Sequence, residues 1–364
     1  MTVSNATPPA NTDTDTIAPR RVEVVSTHSD LPIASRVRLT SIPRTPLKPG
    51  QVRIGMLAMA INPADLLQLE GSYGTQPALP FVPGHEGVAV VLECAPDVSD
   101  LVWGDCVLPM GPAGCWADER VMSRRQLVSI PAGADVQQCA MLTANPATAS
   151  VLLSHMRALQ PGDWVLQNAA NSAVGQCVRQ IAQQRGLRVI NVVRRSAATT
   201  PPSGNGMVWV VDAGDDAQSL RDKVSAATGG TPVQLALDAV GGSASQGLAQ
   251  ALSDGGLLVV YGLLSGQPCT VPAHDLVFRG LQVRGFWLAS WFADAGNRQK
   301  TQSLYPDLVT MVQAGTLRMA VEAVYPLEQV HDALAHAARP MRSGKILLAG
   351  AWAGREVARP LSAA

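Results

Sequence analysis

Two hydrophobic patterns divide the chain. From Val22 to about Thr143, short apolar segments alternate with glycine and proline, which predicts a small β-barrel or sandwich domain. From Ala144 onward, segments with helical periodicity alternate with apolar runs at 164–169, 187–193, 207–211, 233–239, 256–262 and 281–288. Six strands with helical crossovers predict a doubly wound parallel sheet, so the expected fold class is α/β.

The predicted helices share the 3.6-residue spacing of apolar positions. They cover residues 147–159, 173–185, 220–227, 243–252, about 303–314 and 328–337, and a last strand covers 344–350. We expect the elements after about residue 318 to rejoin the first domain. The predicted domains are therefore residues 21–144 with 319–364, and an inserted domain of residues 145–318, with the active site in the cleft between them.

Two segments are predicted to be irregular. Residues 62–87, NPADLLQLEGSYGTQPALPFVPGHEG, are too polar and too rich in proline for a core strand. Residues 196–206, SAATTPPSGNG, carry two prolines where a crossover helix would stand. Long loops on a rigid scaffold frequently carry chemistry, so the first segment is the first place to seek catalytic groups.

Residues 163–195 predict a strand, a turn, a helix and a second strand. The amino end of such a helix faces the carboxyl end of the preceding strand, where backbone N–H groups and the helix dipole favour a pyrophosphate. The glycine fingerprint is degenerate, because Ala170-x-Ser172-x-x-Gly175 replaces G-x-G-x-x-G. Asn171 or Ser172 can cap the first turn of the helix.

Two arginines end the second strand of this unit. Proteins that bind NAD place an acidic residue there for the ribose 2′-hydroxyl, whereas arginine accommodates a 2′-phosphate. Arg194 and Arg195 follow the strand, and no acidic residue stands near its end. We therefore predict NADPH as the cofactor; the alternative is that both arginines form only a solvated strand end.

Composition narrows the class of protein. The 28 basic and 28 acidic residues cancel, so no global field attracts nucleic acid or an anionic membrane. No apolar run reaches membrane-spanning length. Six scattered cysteines without a C-x-x-C pair, and a polar tail of residues 1–20 without a targeting pattern, predict a cytoplasmic protein with a disordered amino terminus.

A series of motifs extends over nearly the whole chain beyond the tail. They are GSYGTQPALP, PGHEGVAVV, LTANPATAS, LQPGDWVLQNAANSAVGQ, INVVRR, YGLL and GFWL. Together they resemble the zinc-independent medium-chain dehydrogenase/reductase superfamily and, within it, the mitochondrial-type trans-2-enoyl thioester reductases. The resemblance implies a GroES-like β-barrel substrate domain, a Rossmann domain that binds NADPH, and a homodimer.

The resemblance also implies roles for individual residues. Tyr73 matches the active-site tyrosine, and Trp287 would form a wall beside the nicotinamide and the thioester. The implied cofactor-binding residues are Asn145, Asn171, Ser172, Ala173, Val174, Arg194, Arg195, Tyr261, Gly262, Leu263, Leu264, Phe286, Leu288 and Lys345.

Each of these residues also has a purely structural interpretation. Tyr73 would pack its ring on the domain as an ordinary loop residue, and Trp287 would be a core aromatic of the last strand. Asn145 would cap the helix that begins at Pro146, and Lys345 would reach only solvent.

His85 raises the question of zinc. Zinc alcohol dehydrogenases of this superfamily carry a metal-binding histidine in the same PGHE context, and a catalytic zinc needs about three protein ligands. That family's cysteines would stand near Asn62 and Ala144, where this sequence has none, and the four-cysteine lobe of a structural zinc is absent. We predict no metal and a structural role for His85.

The expected activity is NADPH-dependent reduction of the α,β double bond of a 2-enoyl thioester. Hydride would go to Cβ, and Tyr73, a phenol with a reference pKa of about 10, would protonate Cα or stabilise the enolate. The acyl carrier is coenzyme A or acyl carrier protein. The alternatives are an NADPH-dependent quinone or enone oxidoreductase on the same scaffold, and an NADPH-binding protein without catalysis.

Overall fold

The structure, a computed structural model, describes residues 18–111, 113–194, 204, 206–212, 217–340 and 342–354; the side chains of residues 217, 298, 301 and 302 are excepted. The chain divides into two compact units, Met1–Thr143 with Met319–Ala364, and Ala144–Arg318. Most of the predicted tail and of the predicted loop at 196–206 lies outside the described residues.

The regular elements are numbered along the chain. The strands are β1 (Arg20–Val24), β2 (Val37–Ser41), β3 (Gln51–Ala60), β4 (Gly87–Cys94), β5 (Cys106–Pro109), β6 (Glu119–Ser123), β7 (Leu127–Ile130), β8 (Trp164–Gln167), β9 (Arg188–Val193), β10 (Met207–Val211), β11 (Val233–Asp238), β12 (Leu257–Val260), β13 (Gln282–Gly285), β14 (Val321–Pro326) and β15 (Lys345–Ala349). The α-helices are α1 (Pro63–Leu69), α2 (Val136–Cys139), α3 (Asn145–His155), α4 (Ala173–Gln184), α5 (Ala217–Thr228), α6 (Ser243–Ala251), α7 (Ala273–Phe278), α8 (Leu288–Ala293), α9 (Arg298–Gln313) and α10 (Val330–Ala337). Short 3₁₀ helices lie at Ile33–Arg36, Arg124–Gln126, Ala295–Asn297 and Leu327–Gln329.

The first unit is built on a sheet in the order β14-β15-β3-β4-β5-β7, with β6 also paired to β3. The pairs are antiparallel except for β14 with β15, and β1 and β2 form a separate hairpin-like pair. Strand β3 is buried along nearly its whole length, because neighbours cover both of its faces. From Ile54 to Ala60 its sequence is therefore a continuous apolar run rather than an alternating one.

The predicted loop at residues 62–87 begins with a helix, so the prediction is wrong for its first third. Pro63 provides the fixed φ of a first helical position, and the backbone N–H of Asn62 donates to the Asp65 carboxylate at 2.7 Å. Asn62 and Asp65 form a capping box, a short-range signal that stabilises α1 in a polar segment. The chain from Gly71 to Pro80 has no helix or strand, as predicted.

The second unit contains the predicted parallel sheet, in the order β10-β9-β8-β11-β12-β13. Every neighbouring pair is parallel, and all six predicted strands are present. The strand predicted for 281–288 is too long, because β13 ends at Gly285 and α8 begins at Leu288. Since the strands are parallel, their carboxyl ends all lie along one edge of the sheet.

Helix α4 follows β8 and packs one apolar face inward. Cys177, Val178, Ile181 and Ala182 of the predicted apolar face are buried, together with Gly175, whereas Val174 of that face is half-buried. Ser172, rather than Asn171, is the N-cap, because its hydroxyl accepts from the Gly175 backbone N–H at 3.1 Å. In the described part of the chain, no helix has both the length and the apolar character needed to cross a membrane.

Candidate active site

Most of the predicted cofactor residues of the second unit follow the carboxyl ends of its strands. Backbone hydrogen bonds hold these connections together: Tyr261 N–H donates to the Asp238 carbonyl at 2.9 Å, and Phe286 N–H donates to the Val260 carbonyl at 2.8 Å. The residues concerned are Asn171, Ser172, Ala173 and Val174 after β8, Arg194 after β9, Tyr261, Gly262, Leu263 and Leu264 after β12, and Phe286, Trp287 and Leu288 after β13. Ligands of open parallel sheets bind at this edge.

The turn between β8 and α4 directs backbone N–H groups outward. Ala173 and Val174 are the first helical residues, so the helix itself offers no carbonyl for their N–H groups. Ala169 has a φ of 45°, a conformation that non-glycine residues rarely adopt. Arg179 of α4 donates a hydrogen bond to the Ala170 carbonyl and so helps to hold the turn in this conformation. This arrangement can bind a phosphate despite the missing glycines.

Two glycines allow close backbone approach at this edge. A Cβ on Gly175 would lie 2.7 Å from the Ala170 carbonyl oxygen, so the last glycine of the fingerprint keeps its packing role. A Cβ on Gly262 would lie 2.5 Å from the Ala239 carbonyl oxygen. Gly262, a predicted cofactor residue, thus lets the segment after β12 pass close to the end of β11.

Sequence reasoning missed a buried polar bridge below the phosphate turn. Asn168 Nδ2 donates to Asp238 Oδ1 at 2.6 Å, and the Ala239 N–H donates to Asn168 Oδ1 at 2.8 Å. Asp238 also accepts from the Gly241 N–H and from the Ser245 hydroxyl. The signal was a polar residue at the end of a buried apolar strand, in QNAA and again in ALDAVGG.

The half-buried Tyr261 places its hydroxyl, which is buried, beside the same turn. Its hydroxyl makes no hydrogen bond of normal geometry among the described residues. Burial raises the pKa of Tyr261, the Asp238 charge adds to the rise, and nearby Ser172 partly offsets it. A buried polar atom without a partner costs free energy, so this hydroxyl suits a polar group of a ligand.

The remaining predicted residues of this edge are more exposed. Arg194 is exposed at the end of β9, and Arg195 lies outside the described residues. Leu263 and Leu264 are exposed, and Phe286 and Leu288 are half-buried. Trp287 is 39% exposed and is the N-cap residue of α8, so its alternative interpretation as a core aromatic is wrong.

Asn145 and Lys345 both lie in buried surroundings. Asn145 is the first residue of α3, whose N-cap is Ala144, so the capping interpretation of Asn145 is wrong. Lys345 is 6% exposed, and its ammonium donates to Asn62 Oδ1 inside the first unit. Asn62 Nδ2 in turn donates to Glu86 Oε1 at 2.7 Å. The interpretation of Lys345 as a solvent-facing residue is therefore wrong.

Tyr73 and His85 meet in the first unit. Between residues 71 and 80, every residue except Tyr73 is exposed. The Tyr73 ring meets the His85 ring in a T-shaped arrangement, with centroids 5.0 Å apart. His85 Nδ1 lies 2.6 Å from Oδ1 of the fully buried Asp65.

The charge of His85 is determined by its acidic neighbours. Burial alone would lower its pKa, but the charge and hydrogen bond of Asp65, with a smaller contribution from the Glu86 charge, raise the pKa of His85. The imidazole therefore keeps its proton to a higher pH than a solvated histidine.

Two family models match the chain. The alcohol dehydrogenase GroES-like domain matches residues 48–134, and the zinc-binding dehydrogenase model matches residues 173–304. The α/β fold therefore combines a GroES-like domain with a Rossmann-like parallel sheet, as predicted. This combination defines the class of the protein as a medium-chain dehydrogenase/reductase.

Individual relatives specify the family further. The mitochondrial enoyl-[acyl-carrier-protein] reductase of Homo sapiens is 36% identical over 94% of this chain and 92% of its own length. A putative NADPH:quinone reductase from Bacillus thuringiensis has a TM-score of 0.80 at 28% identity, over 91% of this chain and 99% of that chain. A mitochondrial 2-enoyl thioester reductase heterodimer from Candida tropicalis has a TM-score of 0.77 at 25% identity, over 92% and 100%. This chain belongs to the enoyl-[acyl-carrier-protein] reductase family.

The prediction of a cytoplasmic protein is wrong. It rested on a polar amino terminus without a targeting pattern and on scattered cysteines. The matched enoyl reductases of Homo sapiens, Xenopus tropicalis and Arabidopsis thaliana are mitochondrial enzymes. Reduced thiols indicate a reducing environment without specifying the compartment, which is why the cysteines misled.

The zinc-binding dehydrogenase model suggests a zinc site, but the residues around His85 do not fit one. Among the described residues, no group of three His, Cys, Asp or Glu side chains could hold a metal ion. His85 already contacts Asp65 through Nδ1, and Tyr73 and Glu86 are also near it. This set lacks the additional histidine or cysteine that zinc prefers.

The buried bridge below the phosphate turn should contribute to stability. We expect Asn168→Ala to lower the free energy of unfolding by about 1–3 kcal/mol, because it leaves the buried Ala239 N–H unpaired and removes one of the hydrogen bonds to Asp238. Urea unfolding followed by circular dichroism measures this difference. Asn171→Ala, which removes an exposed amide three residues away, is the control and should change stability little. Equal midpoints for both variants would contradict a structural role for the bridge.

Proposed function

We propose that this protein uses NADPH to reduce the α,β double bond of a 2-enoyl thioester, with Tyr73 as the proton donor. The family relationship supports the reaction class, since the relatives are enoyl reductases. The structural observation that carries the proposal is that Tyr73 alone packs inward from the exposed segment 71–80. A loop side chain held in this way is suited to chemistry rather than to solvent contact.

We infer a division of labour between the two domains. Residues 21–144 with 319–364 form the substrate domain, which contains Tyr73, and residues 145–318 form the NADPH-binding domain. The features of the parallel sheet support the second assignment, because its carboxyl edge has a helix amino terminus and a phosphate turn.

The residues at this edge fit NADPH. When bound, NADPH would supply the hydride for Cβ of the substrate. The N–H groups of Ala173 and Val174 would bind the pyrophosphate, and Asn171 and Ser172 would add side-chain contacts. Arg194, with Arg195, would bind the 2′-phosphate through charge-assisted hydrogen bonds. The buried Tyr261 hydroxyl lies beside Ser172 without a hydrogen bond of normal geometry, which supports a polar ligand at this place.

Other predicted residues would line the site for the cofactor and the substrate. Gly262, Leu263 and Leu264 would pass beside the cofactor, with Phe286 and Leu288 adding apolar surface. Trp287, which is partly exposed, would form a wall for the nicotinamide and the thioester. We also propose that Asn145 hydrogen-bonds the cofactor and that Lys345 assists through the polar cluster of Asn62, to which it donates.

Tyr73 would complete the reaction with a proton. Addition of hydride to Cβ leaves an enolate, whose charge lies on the thioester oxygen and on Cα. The Tyr73 hydroxyl donates to the enolate and transfers its proton to Cα, so that its O–H bond breaks as the new C–H bond forms. Water returns a proton to the phenolate. The substrate is an acyl thioester of coenzyme A or of acyl carrier protein.

A second candidate is a quinone or enone reductase on the same scaffold. This candidate is supported by the TM-score of 0.80 to a putative NADPH:quinone reductase. Measuring NADPH oxidation with crotonyl-coenzyme A, a quinone and a simple enone separates the candidates. Turnover of the thioester supports the proposal, and quinone reduction with no thioester turnover would refute it. Tight NADPH binding without any turnover would favour a non-catalytic protein.

Removal of the Tyr73 hydroxyl should lower turnover selectively. We expect Tyr73→Phe to reduce kcat with crotonyl-coenzyme A by about 10²–10⁴-fold, because the enolate loses its proton donor. NADPH affinity, measured by fluorescence titration, should stay nearly unchanged. Tyr325→Phe removes a hydroxyl that contacts His336 elsewhere in the same unit, and it serves as the control with normal turnover. Unaltered kcat in Tyr73→Phe would remove Tyr73 from the mechanism.

The arginines after β9 should determine cofactor choice. We expect Arg194→Ala, alone and with Arg195→Ala, to weaken NADPH binding by roughly tenfold or more while leaving NADH binding nearly unchanged. The lost contact is with the 2′-phosphate, which NADH lacks. Arg221→Ala, which removes an exposed arginine from α5, is the control. An equal loss of affinity for both cofactors would refute the 2′-phosphate site.

We also propose a homodimer that forms through the edge strand of the second unit. All four residues of β13 are exposed, and β13 is the last strand of its sheet. Beside it in sequence, Val277 and Phe278 of α7 are 70% and 77% exposed. An unpaired strand edge next to large apolar side chains suits pairing with the same edge of a second copy.

Sedimentation equilibrium tests this dimer. The wild-type protein should have the mass of a dimer, and Phe278→Asp should shift it toward the monomer by placing a charge in the apolar contact. Val102→Asp changes an exposed valine of the first unit and should leave the dimer intact. A monomeric wild type, or a dimer unaffected by Phe278→Asp, would contradict this interface.

A further inference from the structure

The backbone around Tyr73 has little local support. No backbone–backbone hydrogen bond of the described chain involves residues 73–80. The Gln76 side chain bridges this segment to α1, since its amide, in the orientation that satisfies both groups, donates to the Gln68 carbonyl and accepts from the Tyr73 N–H, both at 3.3 Å. The position of the Tyr73 ring must therefore depend on side-chain contacts, and one of these is with the His85 ring.

His85 itself is held firmly. Its Nδ1 lies 2.6 Å from Asp65 Oδ1, and its backbone N–H donates to the same oxygen at 3.0 Å. The other oxygen of Asp65 accepts from the Asn62 N–H at 2.7 Å. Asp65 is fully buried and belongs to the first turn of α1. Hydrogen bonds at both the ring and the backbone hold His85 in one orientation. The Tyr73 ring packs against this fixed imidazole.

The surroundings of His85 favour its protonated form. The ionisable groups that face the cluster are Asp65 of α1, Glu86 beside His85, Lys345 of β15 through Asn62, and Tyr73. Buried Cys115 also lies within electrostatic reach of Asp65 and Glu86. The carboxylates of Asp65 and Glu86 are the neighbours whose charges favour the protonated imidazole.

We propose that His85 is a positioning residue for Tyr73 in the reaction proposed above. The imidazole, anchored by Asp65, fixes the phenol ring, and its positive charge stabilises the phenolate that remains when Tyr73 gives its proton to Cα. This inference rests on the proposed function and adds a role for a histidine that sequence reasoning assigned to structure alone. His85 acts through Tyr73 and exchanges no proton with the substrate.

A pH dependence follows from the charge of His85. Asp65 and Glu86 raise the pKa of His85 against the effect of burial, so the imidazolium persists to a higher pH than that of a solvated histidine and is lost as the pH rises through the raised pKa. With respect to this group, turnover should therefore be highest below the raised pKa of His85. It should fall on the alkaline side, at the pH where His85 loses its proton.

Steady-state kinetics from about pH 6 to about pH 10 test the inference. With crotonyl-coenzyme A, His85→Gln should lower kcat roughly tenfold on the acidic side of the wild-type decrease and abolish that decrease, while the KM for NADPH stays unchanged. His85→Phe keeps an aromatic ring against Tyr73 without the charge. It should also lack the alkaline decrease but retain more of the wild-type kcat than His85→Gln.

The same unit offers a matched control. His336 contacts Glu322 at 2.9 Å and meets the ring of Tyr325 in a T-shaped arrangement, with centroids 5.9 Å apart. His336→Gln thus removes a histidine with the same kinds of neighbours, away from Tyr73. It should leave kcat and its pH profile as in the wild type. A decrease equal to that of His85→Gln would overturn the inference.

Nuclear magnetic resonance titration of the wild-type imidazoles supplies a readout independent of any variant. The midpoint of the His85 titration should coincide with the alkaline decrease in kcat; a mismatch would overturn the inference even if every His85 variant fails to fold. Wild-type kcat and an unchanged profile in His85→Gln would overturn it while leaving the proposed reaction intact. A wild type that does not reduce crotonyl-coenzyme A refutes the proposed function instead.

Discussion

The buried carboxylate of Asp65 is the constraint on which the first unit's polar cluster depends. A charge without solvent has to be balanced by hydrogen bonds and by opposite charge. Asp65 obtains them from the Asn62 N–H, the His85 N–H and the His85 ring. One side chain thereby caps helix α1 and orients His85, whose ring contacts that of Tyr73. The Asp65 carboxylate therefore both caps α1 and holds the histidine that contacts the candidate catalytic tyrosine.

Asp238 has a comparable place in the second unit. It is also fully buried, and it accepts hydrogen bonds from the Asn168 amide, the Gly241 N–H and the Ser245 hydroxyl. These contacts join the ends of β8 and β11, directly below the turn with the Ala169 positive φ. A turn without the usual glycines has fewer accessible conformations, and the bridge holds it in one of them. Each unit therefore uses a buried acid where the chain leaves regular structure.

The glycine-poor turn explains how this family member keeps a nucleotide-binding edge. Gly175 remains because its Cβ would collide with the turn, whereas the first two glycine positions are occupied by Ala170 and Ser172. Ser172 adds a cap that a glycine would lack, since its hydroxyl accepts from the Gly175 N–H. Ala170 and Ser172 thus give the turn less backbone freedom than glycines would, and Ser172 fixes the start of α4. The N–H groups of Ala173 and Val174 remain without a carbonyl partner in the helix.

The sequence by itself determined the parallel sheet, the start of α4 and the family, because strand and helix periodicity, caps and motifs are local properties of the chain. Only the tertiary structure decided which polar groups meet. Asn168 and Asp238 are 70 residues apart, and Lys345 and Asn62 are 283 apart, so no local pattern connects them. It also decided that β3 is buried on both faces and that Trp287 stays partly exposed where β13 ends. Burial depends on what packs against a residue, and distant parts of the chain supply that packing.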